Sequence, residues 1–219
     1  DQLSVTTTTD EGFEALRFDL ADGSEWYFHT RDGGGFSSIV DAAGRDWLNW
    51  NSAGGSAGDF RGFPNAARPP TPFFHPGRPN TTTTTVVHQG PLRVTFESRS
   101  TDNKWVAVWH AYPTHVDLEM RRTGSDYWIQ YEGTPGGEFD GGDVIHRSDG
   151  TQVPANGTFE VDLPGEEWVY AADPADGASF FMAAQEDDGS VDSYRQLDDR
   201  MTVLGLGRGG NNLNFPYLP

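Results

Sequence analysis

The sequence contains no cysteine and a single lysine, Lys104, among its 15 basic residues. Without cysteine it forms neither a disulfide bond nor a thiolate metal site. No apolar run approaches the roughly 18 residues that a membrane-spanning helix needs, so we expect no membrane partner. A chain of 219 residues is long enough to bury a core without covalent cross-links. We therefore predict one domain over residues 1–219.

Basic charge is also scarce in this chain. There are 33 acidic residues against 15 basic ones, which gives a formal net charge of −18 at pH 7. The average field of such a protein repels phosphate, which argues against nucleic acid and anionic membranes as partners. We expect the protein to be a monomer.

The sequence has no long segment with apolar residues at helical spacing. The short stretch DSYRQLDDRM at 192–201 is the best candidate for a helical turn. Alternation is common instead, as in EALRFDL, where Leu16, Phe18 and Leu20 share one face. About a dozen such segments are separated by turn residues, with 27 Gly and 14 Pro in the chain. The pattern predicts an all-β fold, an antiparallel β-sandwich of two large sheets, either supersandwich-like or a jelly roll.

Residues 51–80, NSAGGSAGDFRGFPNAARPPTPFFHPGRPN, break the alternation and form a long loop rich in proline and glycine. Loops of this length are rare inside compact domains and are usually either disordered or functional. Burial of Phe60, Phe63, Phe73 and Phe74 would anchor the loop, and the prolines would stiffen it. We therefore predict that the loop is a wall of a binding cleft.

The loop begins a window without acidic residues, from residue 60 to residue 96, in this otherwise acidic chain. The window contains Arg61, Arg68, Arg78 and Arg93. The planar fork of arginine binds carboxylate or sulfate in a bidentate manner, so the four arginines predict a subsite for an anion. The alternative is that they pair with acidic residues from elsewhere in the chain.

A second group of candidates lies in WVAVWHAYPTH, residues 105–115. His110 and Tyr112 are two positions apart on a predicted strand and therefore project from the same face. Pro113 should bend the strand and turn His115 toward the same side. Histidine and tyrosine can serve as base and acid in proton transfer. The alternative is a core-facing His110 whose hydrogen bonds are satisfied.

Together the two groups predict a secreted or periplasmic polysaccharide lyase that acts on an anionic, uronate-containing glycan. β-Elimination requires neutralisation of the uronate carboxylate, a base for the C5 proton and an acid for the leaving oxygen. We expect Arg61 and Asn65 to bind the carboxylate, His75 or His110 to be the base, and Tyr112 to be the acid. Further substrate contacts are expected from Arg78, Arg93, His115, Trp105, Trp109 and Tyr131.

Three other functions remain open at this stage. A non-catalytic carbohydrate-binding domain would stack sugars on Trp47, Trp50, Trp105 and Trp109. A glycoside hydrolase would need a pair of carboxylates, for which the sequence offers Glu132, Glu138, Asp140 and Asp143. A structural module would use the long loop to dock on a partner chain.

No cofactor is expected, since no P-loop, dinucleotide-binding or HExxH motif is found. The stretch YEGTPGGEFDGGDVIHRSDG carries Asp140, Asp143 and Asp149, which could bind Ca²⁺ through oxygen. Their spacing does not match an EF-hand loop, so an ordinary acidic turn is the alternative.

GGGFSSIVDAAGRDWLNW is similar to the strand–turn–strand with which galactose-mutarotase-like sandwiches often begin, and YWIQYEGTPGG and WVYAAD resemble later strands of such proteins. The resemblance covers about half of the chain and implies a sugar-active sandwich, a group that includes polysaccharide lyases and epimerases. The RSELR-like strand and the QIH triplet of jelly-roll alginate lyases are not found, which argues against alginate as the substrate.

Overall fold

The computed structural model of the protein describes residues 2–66 and 73–209, which contain sixteen β-strands and no α-helix. In these ranges no helix has the length and apolarity to cross a membrane. Arg68 lies outside the described residues. The strands form four antiparallel sheets of four strands each, and the all-β prediction is confirmed. The stretch at 192–201 forms a strand and a turn instead of a helical turn, because residues 193–197 pair through their backbone with the antiparallel strand that follows.

The first half of the chain builds two of the sheets. Sheet I has the order β1-β2-β3-β4, and sheet II has the order β5-β6-β7-β8. The strands are β1 (Ser4–Asp10), β2 (Phe13–Asp19), β3 (Glu25–His29), β4 (Phe36–Val40), β5 (Thr82–Gln89), β6 (Val94–Ser100), β7 (Val106–Ala111) and β8 (Val116–Arg122).

The second half builds the other two. Sheet III has the order β12-β15-β16-β9, and sheet IV has the order β11-β10-β13-β14. The strands are β9 (Tyr127–Gly133), β10 (Val144–Arg147), β11 (Gln152–Pro154), β12 (Phe159–Val161), β13 (Glu167–Asp173), β14 (Ala178–Ala184), β15 (Asp192–Leu197) and β16 (Met201–Arg208).

Aromatic side chains join the sheets into one core. Phe18 of sheet I stacks on Phe96 of sheet II with their ring centroids 5.2 Å apart. Tyr131 of sheet III stacks on Phe180 of sheet IV at 4.4 Å. Trp26 of sheet I contacts the same Phe180 at 6.5 Å. Face-to-face packing of sheets through interdigitated side chains is the arrangement of a β-sandwich.

The middle of the long loop behaves as a short extra strand between sheets I and III. Phe36 of β4 exchanges two backbone hydrogen bonds with Phe63, at 2.7 and 3.1 Å. Gly62 exchanges two with Glu132 of β9, at 2.8 and 3.0 Å. The segment 62–66 therefore joins sheets I and III into one continuous layer. Burial also anchors the loop: two of its phenylalanines are buried and two are partly buried, Phe73, Phe74, Phe60 and Phe63.

Candidate functional site

A buried polar cluster lies where the long loop crosses β9, and we call it the loop cluster. It brings together five residues that the sequence analysis assigned to different candidate functions and one, Gln130, that it did not consider. Glu132 accepts a hydrogen bond from Asn65 Nδ2, and Arg78 contributes electrostatic attraction to Glu132 and repulsion to His75. The members of the loop cluster are Trp50, Asn65, His75, Arg78, Gln130 and Glu132.

The alternation of β9 places Gln130 and Glu132 on the face that the loop covers, whereas Tyr131 points into the core. The segment 62–66 is held along the edge of β9 by backbone and side-chain bonds. Gln130 N–H donates to Pro64 O at 2.7 Å, and Trp128 Nε1 donates to Asn65 O at 2.6 Å. The loop therefore buries two polar side chains that would otherwise lie on an open sheet face.

Glu132 is the main titratable group of the loop cluster. Its residue is 5% exposed. Burial raises the pKa of its carboxyl group from 4.5 to about 8, although the bond from Asn65 and the charge of Arg78 lower it. The carboxyl group is therefore mostly protonated at neutral pH, and it can donate a hydrogen bond to a ligand.

His75 is also buried, and its Nδ1 lies 2.8 Å from the carbonyl oxygen of Pro76. Burial, followed by repulsion from Arg78, lowers the pKa of this histidine to about 4. The ring is uncharged at neutral pH and carries one N–H only. The ring also forms a hydrogen bond with the backbone of Phe60, which raises the pKa by less than burial lowers it.

Four buried polar atoms of the loop cluster have no hydrogen-bond partner within the described ranges. They are Trp50 Nε1, Asn65 Oδ1, Arg78 Nε and Gln130 Nε2. Buried polar groups are almost always paired, since an unpaired one costs about 1–3 kcal/mol. Three donors and one acceptor of the loop cluster are therefore left without a partner among the described residues.

A glycine fixes the position of Arg78. Gly77 adopts a φ of +75°, and a Cβ atom there would overlap the indole of Trp50. Its N–H donates to His29 Nδ1 at 3.1 Å, and His29 Nε2 lies 3.2 Å from the carbonyl oxygen of Asp10. The chain that carries Arg78 is therefore tied to sheet I by a close approach that only glycine permits.

Arg61 lies in the same loop but faces a different set of groups. Its Nη1 donates to Thr134 Oγ1 at 2.8 Å and to Leu48 O at 3.2 Å. Its Nε and Nη2 donate to the carbonyl oxygens of Ser56 and Arg200, at 3.0 and 2.8 Å. Burial lowers the pKa of its guanidinium group. The side chain pairs with no carboxylate among the described residues, and protein acceptors occupy it.

The remaining polar candidates lie on sheet II. His110 is on β7 and forms a hydrogen bond with Thr95 at 3.0 Å. Tyr112 and His115 stack at 4.7 Å in the connection to β8. Arg93 is exposed before β6. Across residues 2–66 and 73–209, no hydrogen bond, ion pair or ring contact connects these side chains to the loop cluster. The described arginines of the 60–96 window therefore do not converge.

The tryptophans proposed as sugar platforms are core residues, namely Trp47, Trp50, Trp105 and Trp109, each less than 5% exposed. Tyr131 is also buried, and its hydroxyl donates to Trp47 O at 2.6 Å. None of the five rings offers an exposed face to a sugar, because their faces pack inside the sandwich.

A row of partly exposed aromatic rings lies elsewhere, on the outer face of sheet IV, and we call it the aromatic strip: His146, Trp168, Tyr170 and Phe181. His146 stacks on Tyr170 at 4.4 Å, and Trp168 lies 6.0 Å from Tyr170 with ring planes 15° apart. Phe181 is 59% exposed. The alternation in EWVYAAD, with Val169 and Ala171 inward, was the signal that could have located this strip.

The acidic candidates separate into different surroundings. Asp149 caps a turn, where its Oδ1 accepts the N–H of Thr151 at 2.9 Å and its Oδ2 pairs with Arg147. Asp140 and Asp143 lie instead beside Asp173 of β13. Of the acids considered for hydrolysis, Glu132 belongs to the loop cluster and Glu138 is exposed.

Comparison of the chain with protein-family models, with curated proteins and with solved structures gave no match. The resemblance to galactose-mutarotase-like sandwiches therefore stays a prediction, and the function has to be inferred from the geometry of the site.

Proposed function

We propose that the protein is a polysaccharide lyase that cleaves an anionic, uronate-containing glycan by β-elimination at the loop cluster. The observation that carries the proposal is a buried carboxyl group, Glu132, that is mostly protonated at neutral pH beside an arginine and two amides. A neutral acid and N–H donors are the groups that hold a carboxylate and stabilise the enolate-like charge that develops on it.

The receptor for the substrate carboxylate would consist of three donors. Glu132 offers an O–H, and Gln130 Nε2 and Arg78 Nε offer N–H groups that have no partner among the described residues. Asn65 positions the carboxyl group of Glu132 by donating to its Oε2. With the substrate carboxylate neutralised in this way, the adjacent C5 proton becomes acidic enough to be removed.

His75 would be the base. Its pKa of about 4 leaves it uncharged at neutral pH, so one ring nitrogen has a lone pair that would accept the C5 proton in place of its bond to the loop backbone. The C4–oxygen bond then breaks, a C4–C5 double bond forms, and the departing glycosidic oxygen takes a proton from solvent.

The proposal changes the roles that the sequence suggested. Arg61 is replaced by Arg78 in binding the carboxylate, because four protein acceptors already occupy the guanidinium group of Arg61. His110 and Tyr112 are left out of the reaction, because they lie on sheet II and have no contact with the loop cluster in the described part of the chain.

The experiment is to incubate the protein with alginate, pectate, glucuronan and ulvan and to follow the ultraviolet absorbance of the unsaturated uronate product. Arg78→Ala should abolish the signal, whereas Arg93→Ala, an exposed arginine of the same acid-free window, should keep wild-type rates. The proposal fails if no glycan of this panel gives the chromophore, or if Arg78→Ala turns over as fast as wild type. Reducing ends that appear without the chromophore would indicate hydrolysis.

A second candidate is a non-catalytic carbohydrate-binding domain, which the aromatic strip favours. Its rings form a partly exposed row, and flat aromatic faces are suitable platforms for sugar rings. In affinity electrophoresis through gels containing each glycan, Trp168→Ala should lose retardation if this function is correct. Retardation of the wild-type protein without any chromophore, abolished by Trp168→Ala, would select this candidate over the lyase.

A further inference from the structure

Three aspartates from two parts of the second half of the chain meet at one place, and we call them the acidic trio. Asp140 and Asp143 precede β10, and Asp173 ends β13. One carboxylate oxygen of each lies within 4.8 Å of the others. Asp143 and Asp173 are buried, and Asp140 is exposed. Three negative groups are therefore gathered at the edge of the core.

The acidic trio has no basic partner among the described residues. The nearby Arg45 pairs with Asp41 and Asp176 instead. A comparison within the same protein shows how unusual this is. Asp162, Glu167 and Asp192 also lie within 4.8 Å of one another, but Arg208 Nη1 is 2.5 Å from Glu167 Oε2. The guanidinium group of Arg208 therefore compensates negative charge in this second group of acids. No basic side chain among the described residues does so for the acidic trio.

One carboxylate oxygen of the acidic trio is buried without a donor. Asp143 Oδ1 has no hydrogen-bond partner in the described part of the chain, whereas Oδ2 accepts the N–H of Asp140 at 3.2 Å. The backbone of Asp143 is fixed, because its carbonyl oxygen accepts the N–H of Ala155 at 2.9 Å. An ionised oxygen removed from water requires a compensating donor or cation.

Backbone groups fix the carboxylate of Asp173, and a glycine packs directly beside it. Asp173 Oδ1 accepts the N–H groups of Ala175 and Asp176, at 2.9 and 3.2 Å, so its orientation is fixed. Its Oδ2 faces Gly136, which has a φ of +65° and at which a Cβ atom would overlap that oxygen. A glycine at this turn thus keeps the approach to Asp173 Oδ2 free of side chains.

We propose that Asp140, Asp143 and Asp173 bind a Ca²⁺ ion. Ca²⁺ takes 6–8 oxygen ligands in irregular geometry, which three carboxylates, backbone carbonyls and water can provide. Mg²⁺ requires a near-ideal octahedron, and protein zinc sites characteristically include histidine or cysteine ligands, which the acidic trio lacks. The ion would fasten the connection between β9 and β10 to the end of β13. It is a different site from the loop cluster, and its test is independent of lyase activity.

The test uses the full chain, freed of metal with EDTA, and measures the thermal unfolding midpoint as CaCl₂ is added. A ligand that binds only the folded state raises the midpoint progressively with concentration. We expect that rise with CaCl₂ and a much smaller one with MgCl₂. Asp143→Asn keeps an oxygen for the Asp140 amide and removes one repelling charge. It should unfold in EDTA at or above the wild-type midpoint and should not respond to CaCl₂.

The matched control is Asp149→Asn, at the exposed turn, which should respond to CaCl₂ as wild type does. Isothermal titration calorimetry should give one Ca²⁺ per chain for wild type and none for Asp143→Asn. If Asp143→Asn fails to fold, the exposed Asp140→Asn should still weaken Ca²⁺ binding by at least tenfold. The proposal is overturned if CaCl₂ leaves the wild-type midpoint unchanged and calorimetry detects no binding, or if neither variant binds Ca²⁺ more weakly than wild type.

Discussion

Glu132 provides the sharpest test of the loop cluster, because its carboxyl group is mostly protonated in the folded protein and ionised in the unfolded chain at neutral pH. Replacing it by glutamine removes the ionisation and keeps an oxygen that can accept the bond from Asn65 Nδ2. The difference between the two proteins therefore isolates the free energy of burying this one titratable group.

The magnitude and sign follow from the pKa, which rises from 4.5 in the unfolded chain to about 8 in the folded protein. Below pH 4.5 both states are protonated and the group has no effect. Between 4.5 and about 8 the unfolded chain releases a proton that the folded protein keeps, so the free energy of unfolding falls by about 1.4 kcal/mol per pH unit. Above that range the full loss is on the order of 5 kcal/mol.

The assay is urea unfolding of wild type and Glu132→Gln at several pH values between about 5 and 8, the range set by linkage. We expect the stability of the variant relative to wild type to increase by about 1.4 kcal/mol for each pH unit. Asp143 and Asp192, whose pKa values burial raises to about 6 and about 7, titrate in the same range. Both proteins contain them, so their effects cancel in the difference. A difference that stays constant with pH would refute the reasoning.

Two further stability predictions concern the long loop. Gly77→Ala should lower the unfolding free energy by about 3 kcal/mol in urea unfolding, because its Cβ would overlap Trp50. The control Gly44→Ala, with a φ of +84° and open space around it, should cost only about 1 kcal/mol; equal losses would contradict the packing argument. Arg61→Ala should destabilise by about 3–5 kcal/mol, because it leaves buried carbonyl groups without donors. If Arg61→Ala instead loses turnover at wild-type stability, while Arg93→Ala keeps both, Arg61 acts on substrate.

Local alternation was sufficient to predict much of the fold. Leu16 and Phe18 are buried as EALRFDL indicated, with Arg17 outside, where it pairs with Asp19 and Glu25. Alternation indicates which residues share a face of a strand, but it does not indicate which sheet covers that face. On β7 the buried side contains Trp109, and its neighbour His110 faces away from the core.

The site itself depends on pairings that no local pattern contains. Asn65 and Glu132 meet only because the segment 62–66 pairs with β9. Three of the four acceptors of Arg61, on Leu48, Thr134 and Arg200, come from outside the long loop, so the sequence could not distinguish this arginine from Arg78. All arginines in an acid-free window look equally available until the carbonyl groups around them are known.

The segment 62–66 has a consequence for how the protein can evolve. Sheets I and II come from the first half of the chain and sheets III and IV from the second, and this short stretch hydrogen-bonds to both halves. The same residues lie beside Gln130 and Glu132 of β9. Natural variation that loosens the loop to admit a bulkier ligand would also weaken the hydrogen bonds by which segment 62–66 joins the two halves of the chain. Changes in specificity should therefore accumulate at side chains, while the backbone of segment 62–66 is kept.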